Sequence, residues 1–158
     1  MQTNPKAFTQ RLDGRATCLL TSCGICKAYN PNELAKEPIL QTTALWDTGA
    51  TISTISKQVA DALGLIPFSK SKMYHAGGEG ITNLYKVNII LPNGIGVHAV
   101  TVMEGVLNGC EVLIGMDIIT VGDFVVTNRN GKTVFSFQTP STHEYDFVKQ
   151  IENGEGKQ

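Results

Sequence analysis

The sequence predicts an all-β fold that carries one or two short helices. Short runs of apolar and β-branched residues follow one another along the 158 residues, and clusters of Gly, Pro and Asn separate them. Sixteen glycines can supply the many tight turns that such a chain needs. A helical apolar pattern occurs only in short segments. A chain of this length fits one domain with a core of its own.

The first part of the chain, residues 1–37, is predicted to be an N-terminal arm that can contribute an extra strand. Residues 1–15 are polar and have no periodic pattern, which is typical of a tail. Residues 16–20 are apolar enough for a short strand. Turns are predicted at Cys23-Gly24-Ile25-Cys26 and at Asn30-Pro31-Asn32, because glycine, proline and asparagine interrupt regular structure.

Residues 38–140 are predicted to form the folded lobe. Residues 39–46 are a buried strand that ends at a glycine loop, and residues 51–55 alternate in polarity like a half-buried strand. Ser56 is suited to cap a short helix, and Gly64 is suited to end it.

The second half of the lobe continues with strands and turns, and a polar segment follows it. The predicted elements are strands at 85–91, 96–103 and 112–114, a helix at 116–120, and a hairpin of 124–127 with 133–137. Residues 141–158 form a C-terminal segment, and we expect it to be partly mobile because its end is too polar to pack alone.

The charge and hydropathy of the chain argue against several classes of partner. The 13 Lys and Arg residues nearly balance 14 Asp and Glu residues, so neither nucleic acid nor an anionic membrane is expected as a partner. The longest apolar stretch, residues 112–126, contains two Asp residues and cannot span a bilayer. The N-terminus lacks an apolar signal segment, which predicts a cytoplasmic location and free thiols.

The strongest chemical feature is Asp47-Thr48-Gly49 at the end of the strand predicted for residues 39–46. A carboxylate that follows a buried strand in a glycine loop is partly desolvated and rigidly placed, and this environment suits acid–base chemistry. Asp, Thr and Gly are also ordinary turn residues, so a plain β-turn is the alternative interpretation of the tripeptide alone.

A second motif, Leu113-Ile114-Gly115, makes the interpretation of the first one more specific. The order of an apolar strand, Asp-Thr-Gly-Ala, a glycine-rich segment and an apolar-apolar-Gly tract resembles the retropepsins, the single-lobe aspartic proteases of retroviral type. The resemblance covers about residues 39–137 and is greatest to cellular and bacterial members. It implies a closed β-barrel lobe with a flap hairpin, and the flap falls on Ala76, Gly77, Gly78, Glu79 and Gly80.

The resemblance also implies a role for each residue of the two motifs. Asp47 would be one of two catalytic carboxylates, Thr48 would bond across to the opposing loop, and Gly49 would allow the sharp turn. The remaining support of the loop would come from Ala50, Thr51, Leu113, Ile114 and Gly115. The chain has one Asp-Thr-Gly and no Asp-Ser-Gly, so a homodimer would be needed to provide both carboxylates.

The function implied is that of an aspartic endopeptidase that hydrolyses extended polypeptides. Two carboxylates sharing one proton activate water, so no cofactor and no metal are expected. The alternative is a non-catalytic dimerisation or peptide-binding module that kept the lobe. Cleavage of a peptide mixture that is lost in an Asp47→Asn variant would indicate an enzyme, and binding without cleavage would indicate a module.

Two departures from the viral pattern concern how the subunits would associate. Viral members have an Asp after Asp-Thr-Gly-Ala that pairs with an Arg after the glycine of the second motif. Here these positions are Thr51 and Met116, so both partners of the ion pair are absent. The subunits would have to associate through other contacts, such as those of the N-terminal arm or the C-terminal segment.

The cysteines and histidines predict no further chemistry. Cys23 and Cys26 form one CxxC, but a zinc site needs a second pair or neighbouring histidines. We interpret these thiols as packing or turn residues. The three histidines are scattered and lack the spacing of metal ligands.

Overall fold

A closed barrel of strands forms the centre of the protein. The computed structural model describes residues 4–29, 38–75 and 78–154. The strands are β1 (Lys6–Arg11), β2 (Leu19–Lys27), β3 (Leu40–Trp46), β4 (Thr54–Ser56), β5 (Ser69–His75), β6 (Gly78–Leu91), β7 (Ile95–Gly105), β8 (Val112–Ile114), β9 (Asp123–Thr127) and β10 (Val134–Thr139). The helices are α1 (Lys57–Ala62), α2 (Met116–Ile119) and α3 (Phe147–Glu152).

The strand order of the main sheet is β2-β3-β8-β4-β7-β6-β5, and an additional pairing of β2 with β6 closes its first six strands into the barrel. The interior is filled by aliphatic side chains that alternate along these strands, among them Ile25, Ile55, Val87, Ile89, Val102 and Ile114. The predicted all-β fold, a closed barrel with short helices, is therefore confirmed.

β8 occupies a special position because it separates β3 from β4, the next strand along the chain. It runs parallel to β3, with Trp46 opposite Ile114, and antiparallel to β4, with Thr54 opposite Leu113. The connection from β3 to β4 must consequently cross the end of β8. That connection contains Asp47, Thr48 and Gly49.

A separate three-stranded sheet of order β1-β10-β9 packs on the barrel through aromatic rings. The ring of Trp46 lies 5.1 Å from that of Phe135 and 5.0 Å from that of Phe137, measured between centroids. Phe8 and Phe124 complete the cluster. Because aromatic pairs at such distances contribute beyond their buried area, this cluster ties the sheet to the strand that precedes Asp47.

The tail or arm predicted at residues 1–15 contains a strand that the sequence pattern did not indicate. Residues 6–11 are β1, which pairs antiparallel with β10 along its whole length. Only Phe8 of this strand is buried, so its sequence carries almost no alternation of apolar and polar residues. The partner strand lies more than a hundred residues away, and local patterns contain no information about it.

The prediction of a turn at Cys23-Gly24-Ile25-Cys26 is also wrong. These residues lie within β2, between β3 and β6, and all four are buried. Gly24 is required by close packing, because a Cβ there would lie 2.7 Å from Cγ2 of Ile39. A glycine in a strand can mark such a close approach as well as a turn. The break predicted at Asn30-Pro31-Asn32 lies outside the described residues.

The local signals around the first helix were sufficient to place it. Ser56 caps α1, and its hydroxyl accepts a hydrogen bond from the backbone N–H of Val59. Gly64 follows the helix with a φ of 57°, a left-handed conformation that favours glycine. The strand predicted for residues 51–55 begins only at Thr54, since the residues before it belong to the connection that crosses β8.

Asp123, the first residue of β9, holds the chain segment that follows β10. Its carboxylate accepts hydrogen bonds from the Ser141 hydroxyl, from the N–H of Thr142 at 2.9 Å and from the N–H of His143 at 3.1 Å. These donors, with Ser141 the strongest, lower the pKa of the Asp123 carboxyl from 3.8 to about 2. Beyond this contact the segment continues into α3. None of the helices in the described ranges is long and apolar enough to cross a membrane.

We predict that Asp123→Asn lowers the melting temperature by several degrees at neutral pH. The folded state favours the carboxylate, so this contribution is fully present above the unfolded pKa of 3.8 and is lost as the pH falls through about 2. The difference in melting temperature between the two proteins should therefore shrink below pH 3.8 and vanish near pH 2. Asp13→Asn, at an exposed carboxylate, is the control. A difference that does not change with pH would contradict this assignment.

Candidate active site

The connection between β3 and β4, which we call the site loop (residues 47–53), is held to the end of β8 by backbone hydrogen bonds. The N–H of Asp47 donates to the carbonyl of Ile114 at 2.9 Å, and the N–H of Met116 donates to the carbonyl of Ala50 at 2.8 Å. The N–H of Asp117 donates to the carbonyl of Thr51 at 3.2 Å. The two sequence motifs are therefore in direct contact.

A carboxylate–hydroxyl pair fixes the other end of the site loop. Asp117 accepts hydrogen bonds from the backbone N–H of Ser53 at 3.0 Å and from the Ser53 hydroxyl at 2.7 Å. The Ser53 oxygen in turn accepts from the N–H of Gly115 at 3.0 Å. Ser53 is fully buried, so removal of the carboxylate would leave its polar groups without a partner. Asp117 also lies in the first turn of α2, where a negative charge is favourable.

Gly115 is required by space at the point where the two motifs meet. A Cβ at this position would lie 2.9 Å from the carbonyl oxygen of Ala50 and 2.9 Å from the carbonyl carbon of Ile52. Its φ of −94° is one that any residue can adopt. The glycine therefore allows the site loop to lie directly on the chain that follows β8.

Asp47 lies at the start of the site loop with its carboxylate partly exposed. One carboxylate oxygen, Oδ1, accepts a hydrogen bond from the N–H of Gly49 at 2.8 Å. A backbone donor of this kind holds the side chain in one orientation. Thr48 and Gly49 are both exposed. The arrangement presents a fixed, half-buried carboxylate at the surface of the lobe.

Asp47 and Thr48 lie on the wall of an open depression of about 300 Å³ beside β9. Phe124 and Val126 of β9 also line this depression, together with Asn128. The segment before β2, which includes Cys18, forms another side. The site loop therefore borders the three-stranded sheet directly.

The residues predicted as a flap belong to the hairpin of β5 and β6. Gly78, Glu79 and Gly80 lie on β6, where they pair with His75, Tyr74 and Met73 of β5, respectively.

Ala76 and Gly77, also predicted as flap residues, lie outside the described residues. In the main sheet, β7 lies between the β5–β6 hairpin and β4, the strand that follows the site loop.

Ser53 and Trp46 are two parts of the site that sequence reasoning missed. Ser53 supplies the contact with Asp117, and Trp46 joins the site to the aromatic cluster while its indole N–H donates to the Thr21 hydroxyl at 3.0 Å. The one available signal was that Ser53 and Asp117 each lie next to a motif. Nothing in the spacing indicated that they meet.

The cysteines are free, as predicted, and burial makes two of them poor nucleophiles. Burial raises the pKa of the Cys23 thiol from 9.0 to about 12, and it also raises the pKa of Cys110. A thiol that stays protonated neither attacks a substrate nor binds a metal readily. Within the described ranges no group of His, Cys, Asp and Glu side chains is arranged to hold a metal ion.

The barrel and the site loop together define a class of protein, the retropepsin-like aspartic proteases. The chain belongs to the family described as gag-polyprotein putative aspartyl protease, whose model matches residues 40–120. That range begins at the first residue of β3 and ends just after α2, so it contains both motifs and the contacts between them. The resemblance identified from the two motifs is confirmed.

Solved structures resemble the chain in fold. A retropepsin-like aspartic protease from Rickettsia conorii aligns with a TM-score of 0.53 and 14% identity, over 86% of this chain and 96% of that one. The retroviral protease-like domain of Ddi1 from Leishmania major gives 0.45 and 18%, over 77% and 95% of the two chains. Simian Foamy Virus (mac) protease gives 0.43 and 17%, over 63% and 89%. No curated protein sequence matches the chain.

We predict that Gly115→Ala lowers the free energy of unfolding by about 1–3 kcal/mol, the usual cost of an added methyl group in a tightly packed site. The new Cβ would push on the backbone of Ala50 and Ile52 and displace the site loop. Urea unfolding measures the change. Gly14→Ala is the matched control because no atom lies within 4 Å of its added Cβ. Equal stability of the Gly115→Ala and wild-type proteins would contradict this account of the glycine.

Proposed function

We propose that the protein is an aspartic endopeptidase that acts as a homodimer, with Asp47 of each copy forming the catalytic pair. The observation that carries the proposal is the half-buried Asp47 carboxylate, oriented by the N–H of Gly49 in a loop bound to β8. The family model that covers both motifs supports the same chemistry. One such carboxylate per chain supplies half of the groups that the reaction needs.

The reaction requires one of the two carboxylates to be ionised and the other protonated. The ionised Asp47 removes a proton from a water molecule, whose oxygen then attacks the carbonyl carbon of the peptide bond. The protonated Asp47 of the second copy donates its proton to the carbonyl oxygen. When the tetrahedral intermediate collapses, the C–N bond breaks and the leaving nitrogen takes the proton that the first Asp47 removed from water. A hydroxyl group of the intermediate returns its proton to the second Asp47, which restores the starting pair. Water is consumed, and the products are a carboxylic acid and an amine.

The proposed substrates are extended polypeptides, because a strand-like peptide can pair with exposed backbone groups. The hairpin of β5 and β6 extends beyond the outermost pair of β6 with β7, which joins Leu84 to Met103. It thus offers backbone that is paired on one side only. The proposal places the peptide between this hairpin and the site loop.

The three-stranded sheet has two outer edges, and the structure covers one of them. At the β1 edge, the Asn93 side-chain amide donates to the carbonyl of Ala7 at 2.8 Å, and the Lys6 ammonium group donates to the carbonyl of Gly94 at 2.9 Å. Within the described ranges, β9 pairs with no strand other than β10. An uncovered edge strand can add a strand from another chain.

The β9 edge is therefore where we propose that the second copy binds. Val126 is 39% exposed on this strand, and it lines the same depression as Asp47 and Thr48. A twofold axis beside β9 would place a second β9 next to the first and bring the two site loops towards each other. The same contact would then form the dimer and complete the active site.

We predict that Asp47→Asn abolishes cleavage while the fold and the dimer persist. The amide cannot take up the proton of water, and its size is nearly that of the carboxyl group. Cleavage of a peptide library, followed by mass spectrometry at protein concentrations that favour the dimer, measures activity. Asp61→Asn, at an exposed ion pair on α1, should cleave like the wild type. If the wild type binds peptides without cleaving them, the protein is a binding module.

We predict that Val126→Lys weakens dimerisation at least tenfold and lowers activity in proportion, because a lysine on an edge strand opposes the addition of a second strand. Sedimentation equilibrium over a range of concentrations measures the dissociation constant. Val148→Lys, at an exposed valine on α3, is the matched control. A Val126→Lys protein that dimerises like the wild type would place the interface elsewhere. Activity that resides in a wild-type monomer would refute the shared site.

A further inference from the structure

The base of the β5–β6 hairpin is held by a hydrogen-bond network that the proposed reaction does not use. Residues 78–83 of β6 extend beyond the outermost pair of β6 with β7 and pair with β5. A hairpin of two strands is marginally stable by itself. Its position relative to the barrel therefore depends on the contacts made where it leaves β7.

Glu104, near the end of β7, is the centre of this network. Its carboxylate oxygen Oε2 accepts a hydrogen bond from the Tyr85 hydroxyl at 2.6 Å and a longer one from the Asn83 amide at 3.3 Å. Its backbone carbonyl accepts from the Thr82 hydroxyl at 2.5 Å. Three polar contacts from β6 thus converge on one residue of β7.

The tyrosine end of the network is buried, whereas Glu104 is half-buried. Tyr85 is 4% exposed, and burial, followed by the hydrogen bond to Glu104, raises the pKa of its hydroxyl. Hydrogen bonds between buried groups are stronger than the same bonds in water, and an unpaired partner is correspondingly unfavourable. The carboxylate accordingly contributes more than a surface hydrogen bond would.

Glu104 is also rigidly connected to the strand that leaves the site loop. Met103 pairs with Thr54, the first residue of β4, and its N–H donates to the carbonyl of Ser53 at 3.0 Å. Gly105, the residue after Glu104, lies so close to β4 that a Cβ there would be 2.6 Å from Cγ2 of Thr54. The contacts therefore run without interruption from the hairpin to the end of the site loop.

We propose that Glu104 is a positioning residue that, through Tyr85 and Asn83, sets the orientation of the β5–β6 hairpin relative to the site loop. Its carboxylate fixes the hairpin strand, and its backbone is fixed by β4. The structural part of this inference stands independently of catalysis. Its kinetic consequence rests on the proposed function, in which the peptide binds between the hairpin and the site loop.

The direct test is hydrogen–deuterium exchange of the full chain in the absence of substrate. Tyr85→Phe removes the hydroxyl and keeps the buried ring. We expect the amides of residues 69–75 and 78–83 to exchange about tenfold faster, the factor that corresponds to the loss of one hydrogen bond. The amides of β2 and β3 should keep their wild-type rates. Tyr145→Phe, at a tyrosine that is 54% exposed, is the matched control and should change neither set.

Variants of Glu104 separate a positioning role from a general loss of stability. Glu104→Ala should accelerate exchange in the hairpin like Tyr85→Phe, and the double variant should add little, because both remove the same interaction. Glu104→Gln keeps an acceptor oxygen for the Tyr85 hydroxyl and should restore most of the protection. Acceleration that spreads equally over the barrel, or a Glu104→Gln protein that behaves like Glu104→Ala, would overturn the proposal.

Peptide cleavage provides a second readout. If the hairpin helps to hold the substrate, Tyr85→Phe should raise KM several-fold and change kcat by less than about twofold, because a less populated binding-competent state weakens apparent affinity. A fall in kcat with KM unchanged would overturn the kinetic consequence. If the wild type cleaves no peptide, the proposed function fails, and the exchange experiment still decides whether Glu104 positions the hairpin.

Discussion

The placement of β8 between β3 and β4 is the constraint on which the rest of the structure depends. Two strands that are consecutive in the chain are separated by a third in the sheet, so their connection has to pass over the end of that third strand. The connection is the site loop, and it is held there by hydrogen bonds from Asp47, Met116 and Asp117. The candidate catalytic carboxylate owes its fixed position to this crossing.

The crossing is stabilised from two sides by different kinds of interaction. On one side, Gly115 has no side chain, so the loop packs closely against the chain after β8. The Ser53 hydroxyl there donates a hydrogen bond to the Asp117 carboxylate. Beside the loop, the ring of Trp46 packs among aromatic residues of β1, β9 and β10. The three-stranded sheet therefore supports the residue immediately before Asp47, and the edge proposed for dimerisation lies next to the site loop.

Local rules succeeded where the determining atoms are near one another in the chain. Neighbouring residues were enough to predict the cap of α1 at Ser56 and the left-handed Gly64. They were also enough to predict the strand Val112–Ile114 and the helix that follows it. The same rules failed at Gly24, since a glycine in a tightly packed strand looks like a turn residue when its neighbours in space are unknown. They failed again at β1, whose single buried residue, Phe8, is explained only by the distant strand β10.

The sequence by itself determined the class of the protein, because two short motifs in the right order carry the resemblance. It also determined that one chain has one Asp-Thr-Gly. Only the tertiary structure decided how Asp47 is oriented, that Ser53 meets Asp117 across 64 positions, and that Glu104 connects the hairpin to β4. These contacts join residues that are far apart in the chain, and their existence depends on strand order and register. Those properties arise from the packing of the whole barrel, which no local pattern encodes.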